Sequence, residues 1–85
     1  MKEKKLEKKH EKIFKKIALG DYRMVWEKNN VQIWLEKTYE GEFGGYDIAR
    51  WHKATHHWAN RGEKIASYED AMNLAKMLSQ EDIQE

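Results

Sequence analysis

The sequence predicts an α+β fold: an N-terminal amphipathic helix, an antiparallel sheet of three to four strands, and a C-terminal helix. Three observations predict it. A stripe of apolar residues at helical spacing opens the chain, two β-prone runs flank an Asn29-Asn30 pair, and a second helical stripe follows Ser67.

The first stripe consists of Leu6, His10, Ile13, Phe14, Ile17 and Ala18, which share one helical face with lysines elsewhere around it. Gly20 and Asp21 mark its end, with Gly supplying a left-handed cap. Next, Tyr22–Lys28 and Val31–Thr38 read as a hairpin, because Asn tolerates the positive φ that a two-residue turn needs. Setting Lys28 opposite Val31 places Trp26 opposite Ile33 and Met24 opposite Leu35 on one face. Val25 then opposes Trp34, and Arg23 opposes Glu36, on the other. Tyr39–Gly45, with three glycines, reads as a loop.

Residues 46–66 admit two readings. As a helix, Ile48, Trp51, Thr55 and Trp58 share a face, with Asp47 as N-cap and Gly62 as terminator. As strands, Tyr46–Lys53 and His56–Asn60 form a second hairpin that pairs Trp51 with Trp58 and His52 with His57. The strand reading is preferred because it accounts for the Trp and Tyr content and the Gly-Gly entry. Lys64–Ala66 is expected as a short strand. Ser67-Tyr-Glu-Asp70 is a capping-box variant, and Ala71, Leu74, Ala75 and Leu78 form the stripe of the helix it opens. The expected core is Ile13, Phe14, Ile17, Met24, Trp26, Ile33, Leu35, Ala71, Leu74, Ala75 and Leu78.

With 85 residues the chain reads as a single domain, 1–85, its ends 1–5 and 80–85 frayed. It has no cysteine, so disulfides and thiolate metal sites are excluded, and a cytoplasmic location is expected. No apolar run is long enough to span a membrane, and no membrane association or signal peptide is expected. Four Trp and four Tyr set it apart from disordered chains. The net charge of +1 conceals an uneven spread: residues 1–20 carry eight Lys against three Glu, whereas residues 67–85 sum to −4. A basic head and an acidic tail can pair with each other or meet different partners.

Chemistry-bearing residues concentrate in Arg50, Trp51, His52, Lys53, His56, His57, Trp58 and Arg61. His52 and His56 are four apart, the spacing of zinc-binding helices, but HKATH lacks the glutamate of HExxH. A surface that is merely rich in histidine accounts for them more simply, and no metal or cofactor is expected. Asp47, Glu40 and Glu42 lie near these histidines, but no phosphate loop, nucleophile elbow or paired-carboxylate pattern accompanies them. The chain is therefore expected not to be an enzyme.

Aromatics interleaved with Arg, Lys and His also suit nucleic acid, stacking bases and meeting phosphates. The strands followed by the phrase GEKIASYEDAMNLAKML resemble the arm-type DNA-binding domains of tyrosine recombinases, over about residues 22–79. Those domains set a three-stranded sheet in the major groove and follow it with one helix, so the resemblance implies DNA as a partner. This chain departs from the pattern in Glu27, Glu36, Glu40 and Glu42 on the hairpin and in its near-neutral charge.

Protein recognition is the preferred expectation. Interface cores favour Trp, Tyr, Met and Arg, and a core of this size cannot hide every aromatic. Val25 and Trp34 point away from the expected core face. Either the first helix covers them, giving helices on both faces of the sheet, or they form a docking surface. The expected partner-binding residues are Val25, Trp34, Arg50, Trp51, His52, Lys53, His56, His57, Trp58 and Arg61. The expected function is a non-enzymatic inhibitor, adaptor or regulator of the kind phages and mobile elements carry. Its expected partner is a protein, with nucleic acid as the alternative and a homodimer allowed.

Overall fold

A computed structural model describes residues 4–60 and 64–83. A short 3₁₀ turn, Lys8–His10, leads into helix α1 (Glu11–Lys16). Strands β1 (Tyr22–Lys28), β2 (Val31–Lys37), β3 (Phe43–His52) and β4 (His57–Asn60) follow, and helix α2 (Tyr68–Ile83) closes the chain. The sheet is an antiparallel meander in the order β1-β2-β3-β4. The fold is α+β. No described helix is long and apolar enough to cross a membrane.

The β1–β2 turn forms as its residues dictate: Asn29 and Asn30 both take positive φ, 47° and 66°. Lys28 pairs with Val31 and Trp26 with Ile33, but the register then shifts at Val25. This bulge overturns the expected pairing beyond Trp26. Met24 pairs with Trp34, Arg23 with Leu35 and Tyr22 with Glu36. One extra residue in a strand reverses the facing of everything before it. The consecutive residues Val25 and Trp26 therefore both pack against the core, while Met24, an expected core residue, is left 39% exposed.

Residues 46–52 and 57–60 are strands joined by a turn, so the helix reading does not hold. Trp51 pairs with Trp58 and His52 with His57. Strand β3 begins at Phe43, inside the stretch that reads as a loop. Its glycines have a structural task. Tyr46 exchanges backbone hydrogen bonds with Ile65 (2.9 and 2.8 Å), seating residues 64–65 beside β3. Gly45 lies under that crossing at φ 109°, where a Cβ would stand 3.2 Å from the Ile65 carbonyl oxygen. Gly45→Ala should therefore cost about 1–3 kcal/mol, from left-handed backbone and crowding together. Urea unfolding reads this directly, and an unchanged midpoint would mean that residues 64–65 are not seated there.

Both helices pack on one face of the sheet. That face presents Val31, Ile33 and Leu35 from β2 and Tyr46 and Ile48 from β3, all fully buried, against Ile17, Tyr68, Ala71, Ala75 and Leu78. Tyr46, Ile48, Val31 and Tyr68 are core residues that the sequence reading omits. α2 starts as its cap predicts, with the Asp70 backbone N–H donating to Ser67 Oγ. It runs on to Ile83, past the Gln80 at which it is expected to loosen. α1 is shorter than its stripe. Glu7, before the 3₁₀ turn, and Ile17, after α1, are extended, and the Lys5 N–H donates to the Ala66 carbonyl at 2.7 Å, so residue 5 is tied down where fraying is expected.

His10, on the buried stripe, is held at the centre of an aromatic cluster. The Glu7 N–H donates to Tyr46 Oη at 3.1 Å, and that oxygen lies 2.9 Å from His10 Nδ1. Every group is satisfied when the tyrosine hydroxyl donates to an unprotonated Nδ1, which selects the neutral Nε2–H tautomer. Tyr68 meets His10 edge-on at 4.6 Å and is capped in turn by Lys9 Nζ, 4.6 Å from its ring centre.

Candidate functional site

With both helices on one side, the other face of the sheet is left uncovered. Strand alternation sends Gln32, Trp34 and Glu36 from β2 to this face, with Asp47, Ala49 and Trp51 from β3. The bulge at Val25 adds Tyr22, Met24 and Glu27 from β1, and pairing with Trp51 brings Trp58 from β4. The face thus carries one aromatic residue or more on every strand. Tyr22 is 57% exposed and Trp58 39%; Trp34 and Trp51 are half-buried.

These rings are held in place. Trp34 meets Tyr22 edge-on at 5.3 Å, and Trp51 leans on Trp58 at 5.5 Å. The Trp34 indole N–H donates to Gln32 Oε1 at 3.0 Å, and Gln32 Nε2 donates to Glu27 Oε2 at 2.9 Å. Between the rings lies a shallow hollow of about 220 Å³ lined by Tyr22, Gln32, Trp34, Ala49 and Trp58. Gln32 and Ala49 are buried at its floor, although no helix covers this side, because the rings shelter them.

A second, tighter hollow of about 100 Å³ adjoins it, lined by Tyr22, Trp34, Glu36, Asp47 and Lys64. Lys64 Nζ donates to Asp47 Oδ2 at 2.9 Å and to Glu36 Oε2 at 3.1 Å. Asp47, only 4% exposed, also accepts the Ile48 N–H through Oδ1. Burial opposes the charge on Lys64, but its hydrogen bonds to Asp47 and Glu36 outweigh that and raise its pKa above the ordinary lysine value. Among the described residues every buried side-chain nitrogen and oxygen has a hydrogen-bond partner.

The residues that sequence reasoning singles out are divided by this geometry. Trp34, Trp51 and Trp58 share the uncovered face. Val25 is turned to the core by the bulge, which corrects its expected outward position and also removes the need for a helix over it. Arg50 pairs with Ala59, and His52 stacks on His57 at 5.6 Å, on the side that bears the helices. Lys53 and His56 sit in the β3–β4 turn, His56 at φ 53° and 6.3 Å edge-on to Trp51. The strand pairing thus separates His52 from His56, and no group of three metal-ligating side chains occurs among the described residues. Arg61 lies outside the described residues. Sequence reasoning misses Tyr22, Met24, Gln32, Asp47 and Lys64 as members of the face. The signal that finds Gln32 and Asp47 is the alternation of Gln32, Trp34 and Glu36 with Ile33 and Leu35, continued through Asp47 and Ala49.

Comparison of the chain with protein-family models, curated proteins and solved structures finds no match.

Proposed function

We propose that this chain is a non-enzymatic docking module that recognises a protein partner through its uncovered sheet face. The observation that carries this reading is the row of Tyr22, Trp34 and Trp58 around a hollow on a face that neither helix covers. Large rings contribute much contact area with few rotors to freeze, and rings already fixed by edge-on or tilted ring contacts, with a hydrogen bond at Trp34, lose little freedom on binding. Residues of this kind concentrate the energy of protein interfaces. Nothing in the face resembles a paired acid and base at a substrate cleft, and Lys64 is engaged by two carboxylates.

Trp58→Ala removes an exposed ring with little support from the core, so the fold should persist while affinity for a partner falls at least tenfold, an interface anchor contributing about 2 kcal/mol. A partner recovered from cell extract, then purified and titrated against both proteins, provides the measurement. Equal affinity for the two would remove this face from the interface. The nucleic-acid reading retains the lysines of residues 4–16 as its support, since these cluster before and along α1. Under that reading affinity falls steeply with added salt and nuclease treatment abolishes recovery of a partner.

A further inference from the structure

The uncovered face is acidic as well as aromatic, and that combination restricts what fits it. Among the described residues it carries the carboxylates of Glu27, Glu36 and Asp47 against one ammonium, that of Lys64, a local charge of −2. Lys64 is tied to Glu36 and Asp47 together, and Glu27 adds a further carboxylate at the rim of the neighbouring hollow. The donors that could meet an anion are already taken: Trp34 Nε1 by Gln32, Gln32 Nε2 by Glu27 and Lys64 Nζ by its two carboxylates. A phosphate placed here would meet like charge and engaged donors. A cation would meet carboxylates and the negative faces of aromatic rings.

Among cationic side chains, a guanidinium suits the hollow best. It is flat, stacks on Trp and Tyr, and is more weakly hydrated than an ammonium, so less opposes its entry between rings. Tyr22 and Trp58 stand at opposite sides of the hollow with Trp34 between them, and Gln32 at the floor leads to Glu27. We propose that this face docks an arginine-bearing segment of a partner protein, a guanidinium lying among Tyr22, Trp34 and Trp58 with Glu27 and Glu36 balancing its charge. The inference rests on the docking reading above and adds the chemistry of the partner.

The test uses the full chain, isotopically labelled, with peptides selected on it from a random dodecapeptide display library. Arg-enriched peptides should be selected. They should shift the amide resonances of Tyr22, Trp34 and Trp58, and bind more weakly as salt rises from about 50 to about 300 mM. Tyr22→Ala and Trp58→Ala should each weaken them about three- to tenfold. Glu27→Gln, which can still accept from Gln32, should weaken them about two- to fivefold through loss of charge alone. Acidic or uncharged peptides selected onto this same face would overturn the arginine assignment and leave the docking reading standing. Peptides that map elsewhere, or none selected at all, would overturn both. Shifts at these residues produced by an oligothymidylate strand, or by concentrating the chain alone, would also overturn the assignment, pointing to nucleic acid or a second copy instead.

Discussion

Tyr46→Ala should destabilise the protein by about 3–5 kcal/mol, the ordinary cost of emptying a large aromatic site in a packed interior. A domain of this length holds about 4–13 kcal/mol in total, so this one change removes a large share of it. Tyr46 has this weight because it is fully buried at the point where three parts of the chain converge. Its ring packs against Phe43 and Tyr68, its hydroxyl joins the backbone of Glu7 to His10, and its backbone seats Ile65. Tyr46→Phe separates these contributions. It keeps the ring and leaves the Glu7 N–H and His10 Nδ1 without their partner, a loss of about 1–3 kcal/mol. Urea unfolding of the two variants and of His10→Ala, alone and combined with Tyr46→Phe, gives the coupling between hydroxyl and imidazole. A coupling near zero, or a Tyr46→Ala cost under about 1 kcal/mol, would show that the N-terminal segment is not docked on the sheet through this residue.

The parts of the fold legible in the sequence are those governed by local rules. Asn29-Asn30 announces its turn because few residue pairs accept two positive φ angles, and the turn then pins Lys28 to Val31 and Trp26 to Ile33. Ser67 announces the start of α2 in the same way. Legibility ends at Val25. A bulge has no turn residue to mark it, and it is favoured by packing, which takes both Val25 and Trp26 into the core. From that one residue follow the exposure of Met24 and the outward position of Tyr22, and so the composition of the candidate site. Gly44 and Gly45 mislead for a related reason: glycine argues for a loop locally, but here Gly45 makes room for Lys64 and Ile65 to lie against β3, and Gly44 makes room for the Glu36 side chain. Asp47 reads as a helix cap in isolation and becomes the buried partner of Lys64 only once that crossing exists. Trp34, Trp51 and Trp58 are legible because a core of this size cannot bury every large ring. Which face they occupy, and which charges accompany them, depends on strand facing that the bulge determines.

The same aromatic cluster should make stability fall at both ends of the pH scale, through two groups with opposite signs. Burial, helped by the neighbouring Lys9 and opposed by Glu7, holds His10 below its ordinary pKa of 6.5. The unfolded chain therefore binds this proton more readily than the folded one. Stability is complete above 6.5 and declines as pH falls from there toward the lowered folded value, since a charged imidazole donating from Nδ1 would displace the tyrosine hydroxyl proton. At the alkaline end burial pushes Tyr46 from 10.0 up to about 12. Here the folded chain holds its proton longer, so stability is complete below 10 and declines as pH rises toward 12, by about 3 kcal/mol over the window. Tyr68, raised chiefly by burial and also by Glu7, adds in the same direction. The two arms separate by mutation. Tyr46→Phe should abolish most of the alkaline decline, measured as the urea midpoint against pH. His10→Ala should flatten the acid one while leaving the alkaline arm largely in place. An alkaline decline of full size in Tyr46→Phe would assign that arm to Tyr68 and Lys64 instead, and would mean that the Tyr46 phenol ionises as freely in the folded protein as in the unfolded one.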